Sequence, residues 1–292
     1  MAARPKGLRR LALIVLLALA ATGAAQQGAG APKRIVSLVP ALTEMLFAFG
    51  AGPQVVGVSS YDDFPPEVKS LPRVGALLDP DMERILSLRP DFVIIYGSQT
   101  DVQTQLARAK IRAFSYRHAG LDGVLSTIRD LGTSVGRASE SELLARDIQG
   151  RLDATRARVA KLRPLRTLLV FERDPASLRG VYASGGYGFM HDILGVAGGT
   201  DMFEDVSREA VQPSVETILA RAPEVILEVR PMGVAKADID KERHAWDALP
   251  SIPAVRNGRV YIMTDDYLVV PGPRVAQAAE AIARILHPEA FR

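Results

Sequence analysis

The chain has no cysteine. That excludes disulfides, a thiol nucleophile, thiolate metal sites and a lipid anchor carried on a cysteine, so stability has to come from an ordinary core. It has four histidines, His118, His191, His244 and His287, and they form no H-x-x-H or H-E-x-x-H pair. A free-zinc receptor or zinc hydrolase is therefore unsupported, and no protein-borne metal site is expected. Tryptophan occurs once, at Trp246, and no nucleophile elbow is expected. The longest apolar run, residues 11–21, is about 11 residues, well short of the roughly 20 that span a bilayer as a helix.

What precedes and follows that run gives it a meaning. Arg4, Lys6, Arg9 and Arg10 lie before it and Gly23, Ala24 and Ala25 after it, the three-part pattern of a secretory leader cleaved near Ala25; a retained anchor is the alternative. The formal charge of +3 includes these four basic residues, and without residues 1–25 the chain carries 32 Lys+Arg against 33 Asp+Glu. Basicity is then no argument for nucleic acid or an anionic membrane as partner. About 265 residues remain, 48% of the whole being apolar, enough for one large domain or two lobes.

From Lys33 onward short β-rich runs alternate with helical patterns: residues 34–38 then 42–49, 55–59, 82–88 then 92–96, and again 167–171, 187–196, 215–220, 225–229, 260–263 and 273–286. This is the grammar of α/β sheets with helical crossovers. Between the halves, residues 139–162 hold no proline and one glycine, with Leu143, Leu144, Ile148, Leu152, Val159 and Leu162 near helical spacing. The reading is one helix of roughly 35 Å, opened by a Ser139/Glu142 capping box and ended by Pro164.

An internal repeat organises the rest. Pro80-Asp-Met-Glu83-Arg-Ile85-Leu86-Ser-Leu-Arg-Pro90-Asp91-Phe-Val-Ile returns as Pro213-Ser-Val-Glu216-Thr-Ile218-Leu219-Ala-Arg-Ala-Pro223-Glu224-Val-Ile-Leu at a constant offset of 133, and residues 46–50 match 194–198 more loosely. The fold class expected is α/β: two Rossmann-like lobes, residues 33–138 and 163–292, joined by a single long rigid helix over 139–162, with a ligand cleft between them and little closure on binding. Each repeat places a proline in a first helical turn and a glutamate three residues on, where it complements the helix dipole. Two matching exposed carboxylates could also dock a partner with paired basic groups.

Ligands of open α/β sheets meet the loops at the carboxyl ends of strands. Here those are residues 40–43, 59–63, 96–100, 182–187 and 265–267, which contain Pro40 and five of the seven tyrosines, Tyr61, Tyr96, Tyr182, Tyr187 and Tyr267. Flat rings with a polar tip suit a large macrocycle with apolar faces.

The segment 55–66, Val-Val-Gly-Val-Ser-Ser-Tyr-Asp-Asp-Phe-Pro-Pro, followed by Met82-Glu83-Arg84-Ile85-Leu86-Ser-Leu-Arg-Pro90-Asp91-Phe-Val-Ile, resembles the helical-backbone metal receptor family, the class III periplasmic substrate-binding proteins of ABC importers for cobalamin, haem and ferric siderophores, and within it the cobalamin branch. The resemblance runs over about residues 34–286. It implies two lobes bridged by a rigid helix, a metal chelate in the cleft, a corrinoid first, and an ABC permease with its ATPase as partners. It carries permease docking onto Glu83 and Glu216, and ligand contact onto Tyr61, Tyr96 and Asp266, then Tyr182 and Tyr267. The chain departs from that branch where tryptophans are expected in the cleft: Leu77, Tyr96 and about Ala210 stand there.

Haem is the rival cargo and would need an axial donor; His191, beside the loop at 182–188, is the histidine placed for it. Gly185-Gly186-Tyr187-Gly188 could cradle phosphate, but it lacks the Lys-Ser/Thr of a P-loop and reads as a tight turn. Asp62-Asp63 and Asp265-Asp266 are imaginable acid/base dyads, against which neighbours in sequence often diverge. An exported enzyme and a non-transport receptor stay as remote alternatives, and nothing signals self-association.

Overall fold

A computed structural model describes residues 30–230 and 236–292; the leader expected over 1–25 lies outside them. The first half runs β1(Ile35–Ser37), α1(Pro40–Ala48), β2(Val55–Val58), α2(Met82–Ser87), β3(Phe92–Tyr96), α3(Thr100–Arg108), β4(Arg112–Tyr116) and α4(Leu121–Ser134). Then α5(Ala138–Val159) leads to β5(Leu165–Glu172), β6(Tyr182–Ser184), α6(Phe189–Val196), β7(Gly199–Asp201), β8(Ala210–Val211), α7(Val215–Arg221), β9(Val225–Val229), α8(Lys236–His244), α9(Pro253–Arg256), β10(Val260–Met263) and α10(Val275–Leu286).

The first sheet is wholly parallel in the order β2-β1-β3-β4. In the second, β7, β5, β9 and β10 repeat that order in parallel, and β6 and β8 are antiparallel additions along the second half of β5. Two equivalent sheets make the architecture α/β and two-lobed, as the alternation of runs implies, though the second lobe is mixed rather than Rossmann-pure.

The repeat has a structural reason that its letters alone do not give. Arg89 and Ala222, offset by 133, both sit at positive φ, 48° and 46°, just before a proline. The acid after that proline accepts a main-chain N–H at the start of the lobe's first strand, Arg34 to Asp91 at 3.0 Å and Arg166 to Glu224 at 3.1 Å. The same arginine side chains donate to the carbonyls at the helix end, Leu88 in one lobe and Ala222 in the other. In each lobe, then, helix end, proline and acid form a clasp that satisfies orphan carbonyls and fixes where the central strand starts. The looser match also holds: Gly50 and Gly198 end α1 and α6 at φ 82° and 81°, a left-handed exit that glycine alone adopts without strain.

Three local expectations need correction. Neither repeat proline is inside its helix. Pro80 and Pro213 each precede a capping residue, Asp81 or Ser214, whose side chain accepts the N–H of Arg84 or Thr217, because Asp and Ser supply the acceptor a helix start needs. The connecting helix is α5, 22 residues or roughly 33 Å long, and Ser139 is within its first turn rather than at its cap. Glu142 pairs instead with Arg129 of α4 and Arg146, each at 2.7 Å. Leu143 is 66% exposed, since Ser141, Ala145, Ile148, Leu152, Thr155 and Val159 form the inward stripe.

The lobes are also more than two bodies on a rod. A single buried core joins Ile35, Leu42 and Leu46 of lobe one to Ile128, Ile148 and Leu152 and on to Ile193, Leu194, Ile282 and Leu286 of lobe two. Each sheet has its own outer core, around Val36, Ile85 and Leu106 on one side and Leu168, Ile226 and fully buried Trp246 on the other. Besides α5, therefore, α1, α4, α6 and α10 glue the sheets together through apolar burial.

Candidate functional site

Strand ends bring the site together. Among the described residues, of ten large apolar side chains that stay exposed, seven belong to segments leaving the carboxyl ends of the two sheets or entering their helices there: Tyr61, Phe64, Leu77, Leu78, Tyr182, Tyr187 and Val269. Leaving rings and leucines in water costs burial energy that the core would otherwise gain, so a concentration at one edge marks a binding surface. Inside it lies an open cavity of about 380 Å³. Phe171, Glu172, Tyr182, Tyr187, Phe189, Met190, Glu209, Ala210 and Val269 wall it from lobe two, and His118 from lobe one.

The tyrosines predicted for this site divide. Tyr182 and Tyr187 line the cavity, 40% and 52% exposed, with Tyr182 tilted against Phe171 at 6.1 Å between ring centres. Tyr61 is 74% exposed in the loop after β2, outside the cavity wall. Tyr96 ends β3 half-buried and edge-on to Tyr116 at 6.1 Å; burial holds its phenol above the ordinary value. Pro40 is not in a loop at all but is the first residue of α1, where its missing N–H is no loss.

Asp266 and Tyr267 belong to an interlobe strut. The Arg274 guanidinium donates to both oxygens of Asp266, at 2.7 and 3.0 Å, and to both oxygens of Glu44 on α1, at 2.8 and 2.6 Å. It also stacks 4.0 Å over the Phe64 ring and 5.9 Å from that of Tyr267. The strut holds the Asp266 carboxyl below the usual range. Burial outweighs the same guanidinium at Glu44 and pushes that carboxyl up. A second link joins the lobes: Asp192 Oδ2, in the first turn of α6, accepts the Leu121 N–H that starts α4, at 2.7 Å.

The histidine assignment changes. His191 faces away from the cavity, in a separate hollow with Leu121, Asp122 and Arg156, its Nδ1 3.8 Å from Asp201. Helical geometry turns Phe189 and Met190 to the cavity and the next residue off it. His118 is the histidine at the cleft. It stands two residues beyond β4 and its Nδ1 lies 3.2 Å from Tyr116 Oη. The Tyr116 phenol is pushed up to about 12 by burial, with smaller contributions from Tyr96 and from Glu209 across the gap.

Glycines at 185 and 186 are required by close approach, not by phosphate. A Cβ on Gly185 would stand 2.2 Å from the Arg208 carbonyl oxygen and one on Gly186 2.4 Å from that of Glu204. The acidic pairs diverge: Asp62 is buried and accepts the Ser59 N–H at 2.8 Å while Asp63 is exposed, and Asp265 is exposed while Asp266 is taken by Arg274. Gly132-Thr-Ser134-Val-Gly136 does match the Gly-x-Ser-x-Gly spacing. It closes α4 instead of turning from strand to helix, and Ser134 Oγ donates to Asp130 O at 2.8 Å, so it is no nucleophile elbow.

Glu83 and Glu216 are both exposed, each the second residue of its helix. The start of α2 is tied to the carboxyl end of β2 through Asp81 N to Val74 O and Val74 N to Val58 O. A helix that feeds a parallel strand begins at that edge in either lobe. The Ser214 hydroxyl holds the Glu216 carboxyl below its ordinary value.

Two equivalent α/β sheets fused through a shared helical core, with an aromatic cleft at their carboxyl edges, define a two-lobed ligand-binding protein. The periplasmic binding protein family model matches residues 35–267, and the chain belongs to that family. Within it the chain is of the class III, helical-backbone type. It is 28% identical over 258 residues to the vitamin B12-binding protein of Pectobacterium atrosepticum, covering 86% of this chain and 87% of that one. It superposes on the periplasmic vitamin B12 binding protein BtuF of Vibrio cholerae with a TM-score of 0.75 and 26% identity over 90% of this chain and 100% of that chain. It superposes on the periplasmic haem-binding protein RhuT of Roseiflexus sp. RS-1 with a TM-score of 0.72 and 27% identity, over 88% and 99%.

Proposed function

We propose that this protein captures a cobalamin-like corrinoid in the periplasm and delivers it to the permease and ATPase of an ABC importer. The observation that carries the reading is the run of exposed rings and leucines along both carboxyl edges, a surface suited to the apolar faces of a macrocycle too large for an enclosed pocket. The vitamin B12-binding relatives support it. In this reading residues 1–25 are a cleaved leader, the lobes are residues 33–138 and 163–292 with 139–162 between them, and the protein works as a monomer. Tyr182 and Tyr187 press on the ligand, Tyr61 reaches it from lobe one, and Pro40, Tyr96, Asp266 and Tyr267 shape the floor behind them.

Glu83 and Glu216 dock the permease, one carboxylate per lobe. Support comes from their equivalent placement and from Leu86 and Leu219, which lie one turn further along each helix and remain 41% and 37% exposed. Acid and leucine three residues apart share a helix face, so each lobe offers a partner one charge and one apolar contact. The haem alternative rests on the histidine in the cleft and on the haem-binding structural relative.

Calorimetric titration of the purified protein with cyanocobalamin, hemin and a ferric siderophore tests the ligand. Cyanocobalamin should bind; a folded sample that takes only hemin would replace corrinoid by haem. For docking, Glu83→Ala/Glu216→Ala should leave ligand affinity intact and abolish uptake in permease-containing vesicles, and normal uptake would remove those residues from the interface.

A further inference from the structure

The cavity between the strand ends carries fixed charge of one sign. Besides rings and aliphatic groups its wall holds two carboxylates, Glu172 and Glu209, and, among the described residues, no lysine or arginine. Both acids are exposed. Two arginines at this edge are already committed to other carboxylates. Arg173 follows Glu172 in sequence, but successive side chains of a strand point to opposite faces, and Arg173 is turned inward onto Glu228 at 3.0 Å and Glu242 at 2.9 Å. Arg274 gives its guanidinium to both Glu44 and Asp266. Arg117 and Arg208 flank the site in sequence and are not part of its wall.

Glu209 also stands where an anion would otherwise settle. Gly188 opens α6 with no side-chain cap, and a Cβ built there would lie 3.3 Å from Glu209 Cγ and 3.4 Å from its Oε1. The start of a helix attracts negative charge. Here the chain's own carboxylate covers it, so a ligand carboxylate meets an occupied place. The field of Glu209 reaches lobe one as well, where it adds to burial and Tyr96 in raising the Tyr116 phenol.

We propose that Glu172 and Glu209 make the cleft selective for macrocycles edged with neutral hydrogen-bond donors, the primary carboxamides of a fully amidated corrinoid, over macrocycles edged with free carboxylates. The inference rests on the corrinoid reading above and names the form of corrinoid. A carboxamide offers two N–H groups, and hydrogen bonds to an ionised acceptor are roughly twice as strong as neutral ones. A peripheral carboxylate in the same place has no proton to donate and meets like charge, which lowers affinity by about 10-fold or more. The propionates of haem meet the same repulsion, so the two acids separate cargoes that the aromatic walls alone would accept.

The test is calorimetric titration of the wild-type chain, Glu172→Gln, Glu209→Gln and the double variant with cyanocobalamin, dicyanocobinamide, dicyanocobyrinic acid and hemin. Cobinamide carries amides around the corrin ring where cobyrinic acid carries free acids, so the ratio of their affinities reads the edge alone. Wild type should prefer cobinamide by about 10-fold or more. The double variant should narrow that ratio by about 10-fold, gaining affinity for cobyrinic acid and hemin and losing a little for cobinamide. Raising salt from about 0.05 M to about 0.5 M should narrow the ratio in wild type and leave it nearly constant in the double variant, because exposed charges are screened; this comparison holds even for a variant of reduced stability. Equal wild-type affinity for the two corrinoids, a ratio that survives both substitutions, or a ratio insensitive to salt would each overturn the role of the acids and leave the corrinoid reading standing. Folded wild type that binds no cobalamin or cobinamide would sink both.

Discussion

Replacing Arg274 with methionine tests whether the lobes are held by the strut at the cleft floor. The substitution preserves most of the stem packing over Phe64 but strands Glu44, whose side chain is 4% exposed and whose two oxygens both lose their donor. Removing one partner of a buried pair leaves an uncompensated charge, typically a loss of about 3–5 kcal/mol. In a domain of this size that corresponds to a fall in Tm of roughly 6–20 °C. The pH dependence follows from Glu44. Its carboxyl titrates above the ordinary 4.5 in the folded protein because burial dominates, so protonated Glu44 favours the folded state and ionising it destabilises. Without Arg274 that value climbs further, and the deficit should be full near neutrality and shrink as pH falls through the raised value. Urea unfolding of wild type and variant near pH 7 and near pH 5 measures both. Arg274→Met/Glu44→Gln should regain most of the loss, because the neutral amide carries no buried charge. A deficit below about 1 kcal/mol at neutral pH, one that does not change with pH, or a double variant no better than the single would refute the reasoning.

Other perturbations probe other layers. Glu228 has a fully buried side chain bonded to Arg173, Arg230 and the Trp246 indole N–H, so Glu228→Ala should destabilise by about 3–5 kcal/mol in a chemical unfolding curve, and a near-neutral result would contradict the network. Leu152→Ala, at the centre of α5, should cost about 2–5 kcal/mol by leaving a cavity in the shared core, with both lobes melting earlier together in calorimetry; early loss of one lobe alone would argue against a common core. Gly50→Ala and Gly198→Ala both force a left-handed alanine, about 1–2 kcal/mol, but only at Gly198 would the new Cβ strike a neighbour, His287 Nε2 at 2.7 Å. The second variant should be the less stable, and equal Tm values would contradict the clash. Glu224 is held down to about 2, first by the Arg163 guanidinium, so its contribution is present above 4.5 and lost as pH falls towards 2. Glu224→Gln should flatten the drop in stability between about pH 5 and pH 3, and an unchanged drop would count against the clasp.

How far the sequence led depends on the kind of signal. The two-sheet architecture was legible because the Pro-x-x-Glu-x-Ile-Leu segment recurs in register, and hydrophobic periodicity placed α5 to within a few residues of its ends. The caps were misread because Ser139-Glu142 satisfies a capping pattern whose partners lie elsewhere: Glu142 is drawn to Arg129 on a neighbouring helix, a tertiary pull invisible in local spacing. Strand-end reasoning found Tyr182 and Tyr187 but not Phe171 or Val269, although both stand just where the rule points, because a preference for tyrosine filtered them out. His118 was passed over as one of several scattered histidines, yet its position two residues after a strand was the usable clue. The Arg274 partner of Asp266 was not legible, since nothing near residue 266 discloses that Glu44 shares its arginine.

The measurement that bears most directly on the account is hydrogen–deuterium exchange on the purified protein with and without saturating cyanocobalamin. Protection concentrated in residues 59–64, 118–121, 182–190 and 265–270, from both lobes at once, is the expected result. Binding that protects one lobe alone, or a surface away from these strand ends, would contradict a ligand held between them.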